Sequence, residues 1–256
     1  MTIKTDDLAL NEITTYLLQS IKKVFNEELI CLLIHGSFVK GGLTRDFSDI
    51  DVQVFVKETA FDEFGLKLKK SLKMQELVGT LDFSKIGASY LQMYFYDPKK
   101  MPDWYTPPMH GTYQILFGDL PEELDYNTEN FKLKMVNSLK RLRNIISDLV
   151  RNFTDSSNSQ ILRRTRYVAT VVYPTMYSLL AYNKTEPGEI WIKPKDKVLE
   201  MFCEEFAEDE INMYLVQFFD SVKILAKNRE DYEITRTTFK MGINFLMKAA
   251  KLSDEI

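Results

Sequence analysis

Hydrophobic positions change their spacing along this chain, and the change divides it in two. Residues 7–27 set Leu10, Ile13, Leu17, Ile21 and Val24 at helical intervals, one apolar stripe of a helix that would pack on a sheet. The run Leu29-Ile30-Cys31-Leu32-Leu33-Ile34 reads as a buried strand ending at His35-Gly36-Ser37, and a second strand is predicted over 50–57. A helix from about Ala60 to Leu77 follows, then strands from Ser89 to Tyr96 and from Tyr113 to Phe117. Between those strands, Asp97 to Gly111 holds Pro98, Pro102, Pro107 and Pro108, a density of proline that predicts a loop. From Asn127 onward long helical periodicities dominate, interrupted near 154–158 and again at 184–194, and predict an up-down helical bundle. The expected fold class is α+β: a domain over 1–125 built on a small mixed β-sheet with helices, then an all-helical domain over 126–256.

Chemistry concentrates where the first two strands meet. Asp51 opens the run Asp51-Val52-Gln53-Val54-Phe55-Val56, and strand alternation sends Asp49 and Asp51 to one face while Ile50 points into the core. Two carboxylates side by side in a cleft repel unless a cation sits between them. A hard divalent ion with oxygen ligands is the natural partner, and magnesium fits best. Gly36 lets the backbone approach a phosphate closely, and Ser37 can open a short helix whose amides and hydroxyl would hold phosphate oxygens. Gly41 and Gly42 loosen the return toward Asp49.

Charge and composition narrow the picture. Hydrophobic residues make up 45% of the 256 positions, enough for a sizeable core and too many for a disordered chain. A net charge of -4 gives no overall pull toward polyanions, which speaks against a nucleic-acid partner and against a template-directed polymerase. Cys31 and Cys203 lie far apart, without the spacing of a zinc site or a disulfide framework, as expected in a reducing cytoplasm. Acids at Asp6 and Asp7 stand where a secretory signal needs an apolar run, and no stretch approaches the roughly 20 apolar residues of a membrane span. A cytoplasmic protein is expected, with no membrane association.

Gly36-Ser37, the spacer with Gly41-Gly42-Leu43, and Ser48-Asp49-Ile50-Asp51 resemble the signature of the DNA polymerase β-like nucleotidyltransferases, and among them the antibiotic adenylyltransferases acting on aminoglycosides and lincosamides. The resemblance implies a triphosphate bound by Gly36 and Ser37, with Ser48 as a further phosphate contact. It implies magnesium carried by Asp49 and Asp51, the catalytic pair, ATP as co-substrate, and transfer of AMP to a hydroxyl of a small-molecule acceptor as pyrophosphate leaves. An inactive nucleotide-binding protein of the same fold, with a regulatory or partner-binding role, is the alternative.

In the second half, Pro194-Lys195-Asp196 follows a tyrosine-rich helix (Tyr167, Tyr173, Tyr177, Tyr182) and is similar to the streptomycin and spectinomycin adenylyltransferases, in which such a lysine reaches the nucleotide phosphates. Lys195 holds that position here, whereas Pro174 stands where the family offers an arginine. Arg163, Arg164 and Arg166 read as a solvated helix face. The acidic run Glu204 to Glu210 reads as a helix junction with Asp209 as a cap, and Trp104 as a loop anchor. The superfamily commonly sets a third carboxylate on a facing strand. Alternation over Ser89 to Tyr96 puts Tyr90, Gln92 and Tyr94 on one face, so the facing position is Gln92 or Tyr90, neither a carboxylate. Asp82 and Asp97 are the substitutes if the register differs, and Asp103, Glu122 and Glu123 are open as general bases.

Overall fold

A computed structural model of the chain describes residues 8–40, 44, 47–88, 90–105, 107–124 and 127–255. These fall into two compact units, one within residues 1–102 and 107–126, the other within 103–106 and 127–256.

The first unit opens with α1 (Leu8–Phe25), which leads through a 3-10 turn into β1 (Leu29–His35). A single helical turn, α2 (Ser37–Lys40), precedes β2 (Ile50–Val56), and a two-residue hairpin, β3 (Phe61–Asp62) and β4 (Gly65–Leu66), precedes α3 (Leu68–Val78). The sheet is completed by β5 (Leu91–Tyr96) and β6 (Tyr113–Gly118). Its order is β5-β2-β1-β6, with β2 and β5 parallel and the other two pairs antiparallel, so the sheet is mixed.

Alternation decides which face becomes core. Ile50, Val52, Val54 and Val56 of β2 pack with Leu32 and Ile34 of β1 and with Ile13, Leu17, Ile21 and Phe25 of α1. Leu91, Met93 and Phe95 of β5 join that cluster. Each fully buried side chain of this kind contributes about 1.5–3 kcal/mol. Of the predicted α1 stripe, Ile13, Leu17 and Ile21 are core and Val24 packs at its edge; the Leu10 side chain lies outside the described residues.

The helix expected from Ala60 starts later. Gly65 has φ +116°, a conformation that favours glycine, and the Asp62 carboxylate accepts a 2.9 Å bond from the Phe64 amide. The chain therefore turns back as a hairpin before α3 begins. The proline-rich loop carries one 3-10 turn over Pro98–Lys100, capped by Asp97.

The second unit is helical: α4 (Thr128–Lys140), α5 (Leu142–Thr154), α6 (Asn158–Ala181), the short α7 (Gly188–Trp191), α8 (Lys195–Glu205), α9 (Glu210–Lys227) and α10 (Tyr232–Leu252). Its helix starts are chemically marked. Asn127, Asp209 and Asp231 side chains accept bonds from first-turn amides of α4, α9 and α10, satisfying donors that the helix itself leaves over. The core joins Val168, Val172 and Met176 of α6 to Phe218 and Val222 of α9 and to Phe245 and Leu246 of α10, all at most 2% exposed.

Candidate functional site

Sheet register brings the candidate residues of the first unit into one row. Asp51 pairs with His35 across the antiparallel β1–β2 ladder and with Gln92 across the parallel β2–β5 ladder, and His35 pairs with Tyr113 of β6. Paired residues project from the same face, so Gln92, Asp51, His35 and Tyr113 line the face opposite the α1 core. One row further, Tyr94 pairs with Gln53.

Asp49 stands immediately before β2, and its Oδ2 is shielded from solvent. The Ile50 amide donates to the Tyr90 carbonyl at 3.0 Å, which extends the parallel ladder back toward Asp49 and sets Tyr90 at its level. Gln92 is thus the residue beside Asp51. Its Nε2 donates to the Tyr94 hydroxyl, while its Oε1 is buried with no hydrogen-bond partner. Asp97 lies five residues beyond Gln92, roughly 16 Å along an extended strand, and its side chain caps the following turn. Asp82 is exposed ahead of a 3-10 turn. Neither joins the aspartate pair.

Gly36 ends β1 at φ +78°, and a β-carbon there would collide with Oδ2 of Asp51. The glycine is therefore required twice, by its backbone angle and by the carboxylate beside it. Ser37, 7% exposed, opens α2, whose turn is closed by the Val39 and Lys40 amides donating to the Gly36 carbonyl at 3.1 and 3.0 Å. Ser48, 6% exposed, clasps the loop before the acids: the Thr44 amide donates to its hydroxyl oxygen at 3.0 Å, and its own amide donates to the Thr44 carbonyl at 2.9 Å. Gly41, Gly42 and Leu43 lie outside the described residues.

His35 and Gln53 form a pair that sequence patterning did not single out. Gln53, 6% exposed, sets its Nε2 at 3.3 Å from His35 Nε2. Burial, with a smaller effect from the Lys40 ammonium, pushes the His35 pKa down to about 4, so the ring is neutral at pH 7. The available signal was a glutamine in an otherwise apolar strand, two residues past Asp51. Cys31, further along β1, is fully buried, and desolvation followed by the Asp119 charge pushes its thiol up to about 12. It stays a protonated thiol rather than a soft metal ligand.

The residues that could hold a metal here are two carboxylates and a neutral amide oxygen. These are hard oxygen ligands suited to magnesium, and the partnerless Gln92 oxygen is the kind of atom a cation would satisfy. Among the described residues no cluster of three His, Cys, Asp or Glu side chains has metal-holding geometry.

In the second unit, Lys195 is the first residue of α8, and its ammonium lies 4.2 Å from the centroid of the Tyr173 ring. Tyr177 donates to the Lys193 carbonyl at 2.5 Å, and burial, then the Asp196 charge, raises its pKa. Trp191 packs edge-on against Phe131 and Tyr177. Pro174 is an exposed position within α6, and Arg164 Nε donates to Ser156. Glu205 and Glu210 pair with Lys184 and Lys248 at the surface, so the acidic run is a solvated junction capped by Asp209. Trp104 carries the Arg141 guanidinium 4.7 Å from its ring centroid, an anchor for its loop. Of the candidate bases, Asp103 and Glu122 are exposed, and the Glu123 side chain lies outside the described residues.

Residues 18–99 match the family model of the nucleotidyltransferase domain. By fold, the chain is similar to the crystal structure of spectinomycin adenyltransferase AAD(9) from Enterococcus faecialis with ATP and spectinomycin. That likeness has a TM-score of 0.52 at 15% identity and covers 94% of this chain and 99% of the other. No curated protein matches the sequence. Among the described residues no helix is long and apolar enough to cross a membrane.

Proposed function

From the nucleotidyltransferase domain that residues 18–99 carry, we propose that this chain transfers AMP from ATP to a hydroxyl group of a small molecule of the aminoglycoside or aminocyclitol type. The reading is carried by one observation: Asp51 sits directly over Gly36, so the two halves of the motif, fifteen positions apart in sequence, meet at one point. Asp49 and Asp51 hold magnesium there, and Gly36, Ser37 and Ser48 address the triphosphate. Bound magnesium would offset the charge that builds on the phosphates as pyrophosphate departs.

The chain's own residues position rather than react. Asp51 is fixed by its place in β2 and by the glycine beneath it, and Asp49 by the Ser48–Thr44 clasp just before it. The acceptor oxygen bonds to the α-phosphorus as the bond to the bridging oxygen of pyrophosphate breaks, and the hydroxyl proton is released. Lys195 as a phosphate contact rests on the sequence resemblance, and ATP as donor and the acceptor class rest on it together with the ATP and spectinomycin of the similar structure.

The test is a panel of aminoglycosides and aminocyclitols incubated with magnesium and ATP labelled at the α-phosphate. Labelled drug and pyrophosphate are expected from the parent chain and neither from Asp49→Asn. Absence of turnover on every acceptor overturns the reading. One observation favours a second reading, a nucleotide-binding protein without catalysis: the position beside Asp51 is an amide, not a carboxylate. Magnesium-dependent ATP binding in calorimetry without turnover would support it.

A further inference from the structure

We propose, resting on the transferase reading above, that Gln92 is the third protein ligand of the divalent cation through its neutral amide oxygen, and that this chain therefore holds the cation jointly with a nucleotide's phosphates rather than alone. Three observations carry this. Gln92 is the direct neighbour of Asp51 across parallel strands, which run about 4.8 Å apart with paired side chains on one face. Its amide is oriented: Nε2 is committed to the hydroxyl of Tyr94, two residues onward, so Oε1 occupies the branch turned away from Tyr94. And Oε1 is buried with no hydrogen-bond partner, a state that is unfavourable until a donor or a cation satisfies it.

Magnesium dehydrates reluctantly and is usually held by one or two carboxylates together with substrate phosphates, not by an all-protein cage. Asp49 and Asp51 supply two negative charges, and an amide oxygen adds a ligand without adding a third. Those two carboxylates already balance one divalent ion, but the three protein oxygens leave about three of its six octahedral positions open; triphosphate oxygens fill these, so cation and nucleotide bind as one unit. Among the described residues, the polar groups near this set include His35, the cross-strand neighbour of Asp51, whose ring feels the Lys40 ammonium, and Tyr94, which already binds the amide.

Manganese, whose aqueous spectrum disappears on binding, tests the proposal on the whole chain with and without a non-hydrolysable ATP analogue. The parent should bind manganese weakly alone and much more tightly with the analogue. Gln92→Glu should bind it without nucleotide at least about tenfold more tightly than the parent. Gln92→Leu, similar in size but without the oxygen, should weaken binding of the manganese–analogue complex several-fold. Equal manganese affinity of the parent with and without the analogue overturns the proposal, and so does either Gln92 variant, folded by thermal unfolding, with the parent's affinities. Asp49→Asn separates the two failures. If it weakens binding while the Gln92 variants do not, the transferase reading stands and Gln92 is no ligand; if it too is without effect, both fall.

Discussion

The carboxylate of Asp51 fills the space that a β-carbon on Gly36 would take, and Gly36 holds φ +78° beside it. Gly36→Ala therefore meets two penalties, roughly 1–2 kcal/mol of backbone strain and displacement of the carboxylate. Gly65→Ala is the control, since Gly65 has φ +116° but no atom within 4 Å of an added β-carbon. Urea unfolding should show Gly65→Ala destabilised by about 1–2 kcal/mol and Gly36→Ala by at least as much. Calorimetry with ATP and magnesium should show binding lost in Gly36→Ala and retained in Gly65→Ala.

Gly242 supports the second unit by being small. In the middle of a helix a glycine is ordinarily about 1 kcal/mol worse than alanine, so Gly242→Ala would stabilise α10 taken alone. In the fold, the added carbon would lie 2.5 Å from Val168 Cγ1 and 2.9 Å from Phe218 Cε2. Both neighbours are fully buried, and valine is stiff about its first torsion. Overpacking of this kind costs about 1–3 kcal/mol and outweighs the propensity gain. A lowered midpoint in chemical denaturation, with the helical circular dichroism of the native state unchanged, is the expected result.

Stability should fall with acid through His35. Its folded pKa, about 4, lies below the ordinary histidine value of 6.5, so the unfolded chain takes up a proton that the folded one refuses. The contribution is present above pH 6.5 and is lost as pH drops toward 4, amounting to at most about 3 kcal/mol. His35→Asn removes this titration. Unfolding free energies of the nucleotide-free protein between pH 7 and 4.5 should decline less steeply in the variant, and parallel curves would count against a ring held neutral by the fold.

What the sequence made legible follows from how far its signals reach. The face of β2 was readable because alternation is local: Ile50, Val52 and Val54 went to the core and Asp51 did not. The start of α3 was misplaced because two-residue strands such as Phe61–Asp62 carry no periodicity, and Gly65 alone marked the turn. Alternation also grouped Tyr90, Gln92 and Tyr94, matching the core packing of Leu91, Met93 and Phe95. It could not choose between Gln92 and Tyr90 as the neighbour of Asp51. That choice depends on the register of two strands joined by a long crossover, and register is fixed by packing rather than by any local pattern. The His35–Gln53 contact was hidden for the same reason.

Lys195 distinguishes a structural from a phosphate-binding role by magnitude. Its ammonium over the Tyr173 ring is worth about 0.5–1 kcal/mol to the fold at a partly exposed site, a contribution that Lys195→Met removes. If the lysine reaches the triphosphate, the same variant should lower ATP affinity about tenfold. The loss should shrink as salt is raised, because the missing interaction is one between charges. Calorimetric titrations of parent and variant at low and high ionic strength check both points. Equal ATP affinities at low salt would leave Lys195 as a first-turn residue of α8 held against Tyr173, and the nucleotide site would then draw no charge from the Pro194-Lys195-Asp196 segment.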